Sequence, residues 1–174
     1  MLWTWWLGSL IMNKKYAMIG VILTLLLIIL LTNSSIKSFR ENDKNPKVVL
    51  ENISKNKRGI YIFGFEDCPW CQQLYPVLDK VLSEYNEKAY YVDTHKENFT
   101  GQDRENLKKY MHEKTKFDDT VVPLIVMISE DGTYQYHVGT LEGHDAPKEQ
   151  LTVSQENELK NNLKNMILKY KKNK

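Results

Sequence analysis

The two cysteines of this sequence, Cys68 and Cys71, lie three positions apart in the motif Cys68-Pro69-Trp70-Cys71. A short apolar run precedes the motif, so we expect Cys68 to begin a helix, where free backbone N–H groups and the helix dipole favour a thiolate. Pro69 fits the first helical turn because its missing N–H would have no partner there. We therefore expect Cys68 to be the exposed attacking sulfur and Cys71 the buried thiol that resolves a mixed disulfide.

Two other roles for the cysteine pair are open. A structural zinc ion needs about four protein ligands, but the sequence has no second cysteine pair. Its four histidines are scattered without ligand spacing, and we expect surface or loop positions for all of them: His95, His112, His137 and His144. We therefore expect neither a metal nor a cofactor. A purely structural disulfide is the other alternative, but closing so short a loop stabilises a fold little by chain entropy.

A second motif, Val122-Pro123, lies immediately before the apolar run 124–128. Proline is tolerated at the first residue of a strand but is costly inside one. If the Val122–Pro123 bond is cis, the chain bends sharply and presents the Val122 backbone to an extended peptide. We expect Trp70, Val122 and Pro123 to contact the substrate.

The apolar periodicity predicts the elements that position these motifs. Short apolar, β-branched and aromatic runs predict strands at 60–65, 90–92, 124–128 and 133–138, the last two joined by the hairpin signal Glu130-Asp131-Gly132. Helical spacing predicts helices at 48–53, from Pro69 to Tyr85, at 102–114 and from Thr152 or Ser154 onward. Thr152 with Gln155 resembles a capping box. Alternation followed by a hairpin indicates a mixed sheet covered by helices.

The N-terminal region contains an uncharged run, 16–32, behind Lys14 and Lys15. A helix rises about 1.5 Å per residue, so this run approaches the roughly 30 Å thickness of the hydrocarbon core. No small-residue cleavage pattern follows the run, which favours a retained anchor over a cleaved signal peptide. The lysines should stay cytoplasmic and leave the remainder outside. The tryptophan-rich residues 1–11 either lie at the membrane surface or precede a true start at Met12.

These patterns divide the chain into four parts. Residues 1–15 form a short cytoplasmic N-terminus, 16–32 a transmembrane anchor, 33–46 a flexible linker and 47–174 the folded domain. The linker is assigned because its polar composition offers little apolar surface to bury. The net charge is +2 and the charged residues are interspersed, so nucleic acid is not expected as a partner.

The motifs together resemble the thioredoxin superfamily over residues 47–169. Cys68-Pro69-Trp70-Cys71 matches the active-site position, Val122-Pro123 matches the cis-proline loop, and Gly139 matches a glycine found after the hairpin. The resemblance implies an α/β, thioredoxin-like fold with a mixed central sheet flanked by helices, and a dithiol beside the cis-proline. With its N-terminal anchor and the 94–120 segment, the chain also looks like the bacteriocin transport accessory proteins of Gram-positive bacteria.

The sequence departs from the thioredoxin pattern at two positions near the dithiol. Thioredoxins carry a buried acid on the strand before the motif and a paired lysine, whereas this sequence has Ile62 and Ala89 there. Trp70 offers an apolar surface between the cysteines and no positive charge to stabilise a thiolate. These departures leave the direction of electron flow open.

The uncharged run and the resemblance together predict a membrane-anchored, single-pass protein with its domain outside the cell membrane. There it would act as a thiol–disulfide oxidoreductase on exported, cysteine-containing peptides or proteins and exchange electrons with a redox partner protein. One alternative is a non-catalytic bacteriocin-export accessory module with the same fold. Another is a metallochaperone that uses both thiolates and one histidine.

Overall fold

In the computed structural model, the described residues are Ile19, Val21, Arg40–Glu41, 45–115 and 120–173. The chain separates into a unit at 1–37 and a unit at 38–174. In the first unit, Ile19 and Val21 have helical backbone and exposed side chains. No helix among the described residues combines the length and apolar character needed to cross a membrane. Except for Ile19 and Val21, the predicted N-terminus and anchor lie outside the described residues.

The described part of the second unit contains five strands and four helices. In chain order they are β1 (Arg40–Glu41), α1 (Pro46–Ser54), β2 (Gly59–Gly64), α2 (Pro69–Tyr85), β3 (Ala89–Asp93), α3 (Gly101–Thr115), β4 (Leu124–Ile128), β5 (Tyr134–Val138) and α4 (Val153–Lys172). From α1 onward, this order confirms the elements predicted from apolar periodicity.

Strand β1 lies within the predicted linker 33–46. Its two residues pair in parallel with Ala89 and Tyr90 of β3. Helix α1 also begins inside that predicted linker, with Asn45 as its N-cap and Pro46 buried. Composition cannot reveal a two-residue backbone pairing, because the pairing partner is far away in sequence. The other linker residues, 33–39 and 42–44, lie outside the described residues.

The sheet has the strand order β1-β3-β2-β4-β5. Strand β2 is parallel to β3 and antiparallel to β4, and β5 pairs antiparallel with β4. All residues of β2 and β4 are buried, as expected for inner strands covered on both faces. Helices α2 and α4 cover one face and α1 and α3 the other. This mixed sheet flanked by helices is compatible with a thioredoxin-like fold.

Helix α4 begins at a local capping signal and is linked to α2 near its other end. The predicted capping box is present, since the Thr152 side chain accepts from Gln155 N–H and the Gln155 side chain accepts from Thr152 N–H. At the other end, Lys171 Nζ donates to the Tyr85 carbonyl at 3.0 Å, which ties α4 to the end of α2.

Candidate functional site

The strand register brings the two sequence motifs to the same edge of the sheet. Phe63 near the end of β2 pairs with Leu124 at the start of β4. The cysteine motif follows β2, and Val122-Pro123 precedes β4, so both motifs leave the sheet side by side. The Val122–Pro123 peptide bond is cis, as the sequence analysis anticipated.

Cys68 begins helix α2 as predicted. It is the N-cap residue, and its sulfur accepts a hydrogen bond from the Cys71 backbone N–H at 3.2 Å. Pro69 occupies the first turn, where it has no N–H to satisfy. A sulfur in this position receives a backbone donor at the positive end of the helix dipole, an arrangement that favours negative charge.

The prediction that Cys68 is exposed is wrong. Its side chain is 2% exposed and belongs to the same buried cluster as Cys71. Half-buried Phe65, Trp70 and Val122 pack against that cluster. Val122 comes from a distant part of the chain through the pairing of β4 with β2, so the local sequence around Cys68 does not reveal its contact with this cluster.

Cys71 is fully buried, as predicted, and both cysteines are free thiols. Burial raises the pKa of the Cys71 thiol, and the neighbouring Cys68 thiol raises it further. Two donors act in the opposite direction, namely the Tyr75 hydroxyl and the Phe65 backbone N–H. Cys71 therefore rests as a protonated thiol with groups beside it that favour the charged form.

Tyr75 is a site residue that sequence reasoning missed. It lies one helical turn after Cys71 on the same face of α2, and its side chain is 8% exposed. A Cβ placed on Gly64 would lie 2.0 Å from the Tyr75 hydroxyl and 2.9 Å from the Cys71 sulfur. Glycine is thus required at the end of β2, because both groups occupy the space above it. The spacing of Cys71 and Tyr75 was the available signal.

Ile62 occupies the position at which thioredoxins carry an acid. Its side chain is fully buried and lies in the same apolar cluster as Cys71. Where the thioredoxin pattern has an acid, this protein therefore places an apolar side chain in the cluster around Cys71. The Tyr75 hydroxyl, which comes from the helix, is a polar group that interacts with the Cys71 thiol.

No protein-family model and no curated protein matches this sequence.

Trp70 is held by the segment that follows β5. Its indole Nε1 donates to the His144 carbonyl at 3.3 Å, and its side chain is half-buried. Gly139, with φ +70°, lies against the indole, since a Cβ there would be 3.9 Å from Trp70 Cδ1. The Gly139 N–H also donates to the Pro123 carbonyl at 2.9 Å. These contacts hold the indole in place, and only part of the Trp70 ring is available to a substrate.

Gln73 fastens the same segment to helix α2. Its amide Nε2 donates to the carbonyls of Ala146 and Glu149, at 3.2 and 2.9 Å. Its Oε1 accepts from the Leu151 N–H at 2.7 Å. We name residues 139–151 the covering segment. One side chain of the cysteine-bearing helix thus holds three backbone groups of this segment.

Gln73→Ala should loosen the covering segment while leaving the sheet intact. The Leu151 amide loses its acceptor, so its hydrogen exchange should accelerate at least about ten-fold. Gln72→Ala is the matched control, because Gln72 is exposed and bonds the Glu66 carbonyl instead. Equal protection of Leu151 in both variants, measured by amide exchange, would contradict the role assigned to Gln73.

The histidines do not form a ligand set with the cysteines. His95 stacks on Phe65 at 3.6 Å between ring centroids, and His112 is exposed on α3. His137 lies in β5, where burial lowers its pKa. His144 is a loop residue, but it is buried, and its Nδ1 lies 2.7 Å from the Thr140 hydroxyl. Within the described ranges, no group of three or more His, Cys, Asp or Glu side chains is placed to hold a metal ion.

Proposed function

We propose that this protein is a thiol–disulfide oxidoreductase that works through Cys68 and Cys71. The supporting observation is the position of the two sulfurs. Cys68 caps a helix and accepts the Cys71 N–H, while the Cys71 thiol lies beneath it with donors of its own. A dithiol placed in this way beside a cis-proline loop is suited to exchange with a substrate disulfide.

The reaction has two steps. The Cys68 thiolate attacks one sulfur of a substrate disulfide, and the other substrate sulfur leaves as a thiolate that takes up a proton. Cys71 then attacks the Cys68 sulfur of the mixed disulfide, and its thiol proton passes to the departing substrate sulfur. The Cys68–Cys71 disulfide that forms has lost two electrons, and the substrate has gained them. In the reverse direction the protein oxidises a substrate dithiol.

Cys68 is almost fully buried, so side chains near it must move before a substrate can react. Three half-buried side chains pack against the cluster that contains the sulfur, and we call them the border: Phe65, Trp70 and Val122. We propose that an extended, cysteine-containing peptide or protein displaces part of this border and docks beside Val122-Pro123. Sulfur attack would then follow the opening, so exchange would be slower than for a freely exposed thiol.

The location and partners in this proposal come from the sequence. The uncharged run 16–32 behind Lys14 and Lys15 supports a single-pass anchor with the domain outside the membrane. The substrates would then be exported peptides or proteins, and a separate redox partner protein would reset the dithiol. Membership of the thioredoxin superfamily is part of the proposal, supported by the CxxC position, the cis-proline and the strand order.

The direct test equilibrates the purified protein with defined mixtures of reduced and oxidised glutathione. We expect one intramolecular disulfide to form reversibly, with a measurable reduction potential. A potential near that of cytosolic reductants favours substrate reduction, and a far more oxidising value favours disulfide formation. If no Cys68–Cys71 disulfide forms under any glutathione ratio, the proposed function is wrong.

A second candidate is a non-catalytic accessory module for peptide export. The burial of both sulfurs favours it, because Cys68 is 2% exposed and Cys71 is fully buried. In this case the same border binds a peptide and the cysteines contribute only packing. A Cys68→Ala/Cys71→Ala double variant that still supports export in the native host would favour this module, and loss of export would favour the enzyme.

A further inference from the structure

The buried sulfur of Cys71 has a phenol hydroxyl beside it. Tyr75 lies one turn further along α2 and interacts with the Cys71 thiol. Both groups occupy the space above Gly64, where an added Cβ would lie 2.0 Å from the hydroxyl and 2.9 Å from the sulfur. The absence of a side chain at Gly64 leaves room in the core for both the hydroxyl and the sulfur.

The Tyr75 ring is itself fixed from the opposite side. Tyr91 of β3 packs edge-on against it, with 5.8 Å between ring centroids. Tyr75 also belongs to the buried cluster formed by α2, α4 and the sheet. A buried ring held by a helix and a strand keeps its hydroxyl in one position, so the donor is in place before the reaction begins.

The second step of the proposed exchange creates a chemical demand at this position. Cys71 must become a thiolate to attack the mixed disulfide, yet it is fully buried, and burial opposes a charged sulfur. Burial also raises the pKa of Tyr75 far above its usual value, so the phenol keeps its proton at neutral pH. A neutral phenol beside a forming thiolate acts as a hydrogen-bond donor.

We propose that Tyr75 is a positioning residue for the resolving step, donating a hydrogen bond to the Cys71 sulfur as it becomes a thiolate. This inference rests on the proposed function, since it assigns Cys71 the role of resolving thiol. The Phe65 backbone N–H provides a second donor to the same sulfur. Ile62, in the same cluster, is apolar and cannot donate a hydrogen bond to this sulfur, whereas the Tyr75 hydroxyl can. Tyr75 does not contact the substrate sulfur in this scheme.

The test separates the two steps with the chromogenic disulfide dithiobis(nitrobenzoate) and stopped-flow absorbance. Attack by Cys68 releases one nitrothiobenzoate and leaves a mixed disulfide. Attack by Cys71 on Cys68 then releases the second nitrothiobenzoate and leaves the Cys68–Cys71 disulfide. In Tyr75→Phe the first release should keep its rate, and the second should slow at least about ten-fold, because hydrogen bonds to charged groups are the stronger ones.

Tyr85→Phe is the matched control, because it removes a hydroxyl from the last residue of the same helix. Both releases should keep their wild-type rates in this variant. Thermal unfolding of Tyr75→Phe checks that the fold is retained, and Tyr91→Phe, which keeps the packing ring, should slow the second release less than Tyr75→Phe does. The pH profile of the second release should shift to higher pH only in Tyr75→Phe. The titratable groups that face Cys71 are Cys68 and Tyr75, and Tyr91 acts on it through Tyr75.

The outcomes distinguish the two proposals. An unchanged second release in Tyr75→Phe overturns the role of Tyr75 while leaving the proposed function in place. Equal slowing of both releases also overturns it, because Tyr75 would then act only through the fold. If wild-type protein releases no nitrothiobenzoate at all under native conditions, Cys68 is not reachable, and the proposed function fails together with this inference.

Discussion

Cys68→Ser is expected to reduce disulfide exchange to the uncatalysed rate, and Cys71→Ser is expected to accumulate mixed disulfides. Serine has no sulfur to form the first covalent intermediate, so the reaction cannot begin in Cys68→Ser. In Cys71→Ser the first step proceeds, but no thiolate resolves the product. Insulin reduction or peptide oxidation measures turnover, and non-reducing electrophoresis with mass spectrometry detects the trapped species.

A matched pair of variants separates chemistry from folding at this position. Cys68 caps helix α2 by accepting the Cys71 N–H. Serine is a favourable N-cap residue, whereas alanine offers no acceptor, so Cys68→Ala should be about 1 kcal/mol less stable than Cys68→Ser. Both variants should be inactive in spite of this difference in the free energy of unfolding. Wild-type turnover in Cys68→Ser and Cys71→Ser alike would refute the enzyme proposal.

Gly64→Ala is expected to destabilise the reduced protein by about 1–3 kcal/mol, the usual cost of overpacking a filled core. The added Cβ would meet the Tyr75 hydroxyl at 2.0 Å, and Tyr75 cannot retreat easily because Tyr91 packs against its ring. Urea unfolding of the reduced variant measures the loss. The effect should be large because the obstructing groups are fixed inside a close-packed cluster.

A double variant shows whether the hydroxyl is the obstacle. Gly64→Ala/Tyr75→Phe should recover most of the stability lost in Gly64→Ala, with a remainder from the Cys71 sulfur at 2.9 Å from the new Cβ. Gly101→Ala is the control, since no atom lies within 4 Å of the corresponding Cβ at the start of α3. Additive losses from Gly64→Ala and Tyr75→Phe would show that the two positions do not contact each other.

The features that sequence could predict are those governed by local signals. Helix α2 begins at the Cys68-Pro69 pair because an N-cap followed by proline is determined within a few residues. The capping box of Thr152 and Gln155 and the hairpin around Gly132 are local in the same sense. The order of strands and helices follows from apolar periodicity, which each segment carries by itself.

The features that sequence could not predict depend on contacts between distant segments. Cys68 is buried in a cluster that draws its members from α2, α4 and the sheet, and no local pattern around the motif reveals that assembly. The spacing of Cys71 and Tyr75 shows that they share a helix face, but only the paired positions of strand and helix bring both groups to Gly64. Trp70 was expected to be an apolar surface for substrate, but its hydrogen bond to His144 requires the fold of the segment after β5. The pairing of β1 with β3 is of the same kind.

The pairing of β2 with β4 has a consequence for any substrate of the proposed reaction. The cysteine motif and Val122-Pro123 are attached to adjacent antiparallel strands at the centre of the sheet, with Phe63 opposite Leu124. Backbone hydrogen bonds along these strands fix the spacing between the two motifs, even when side chains around Cys68 move aside. Under the proposed function, the substrate backbone must fit that spacing. Unstructured segments would do so readily, whereas a cysteine within a folded domain would first require local unfolding of that domain.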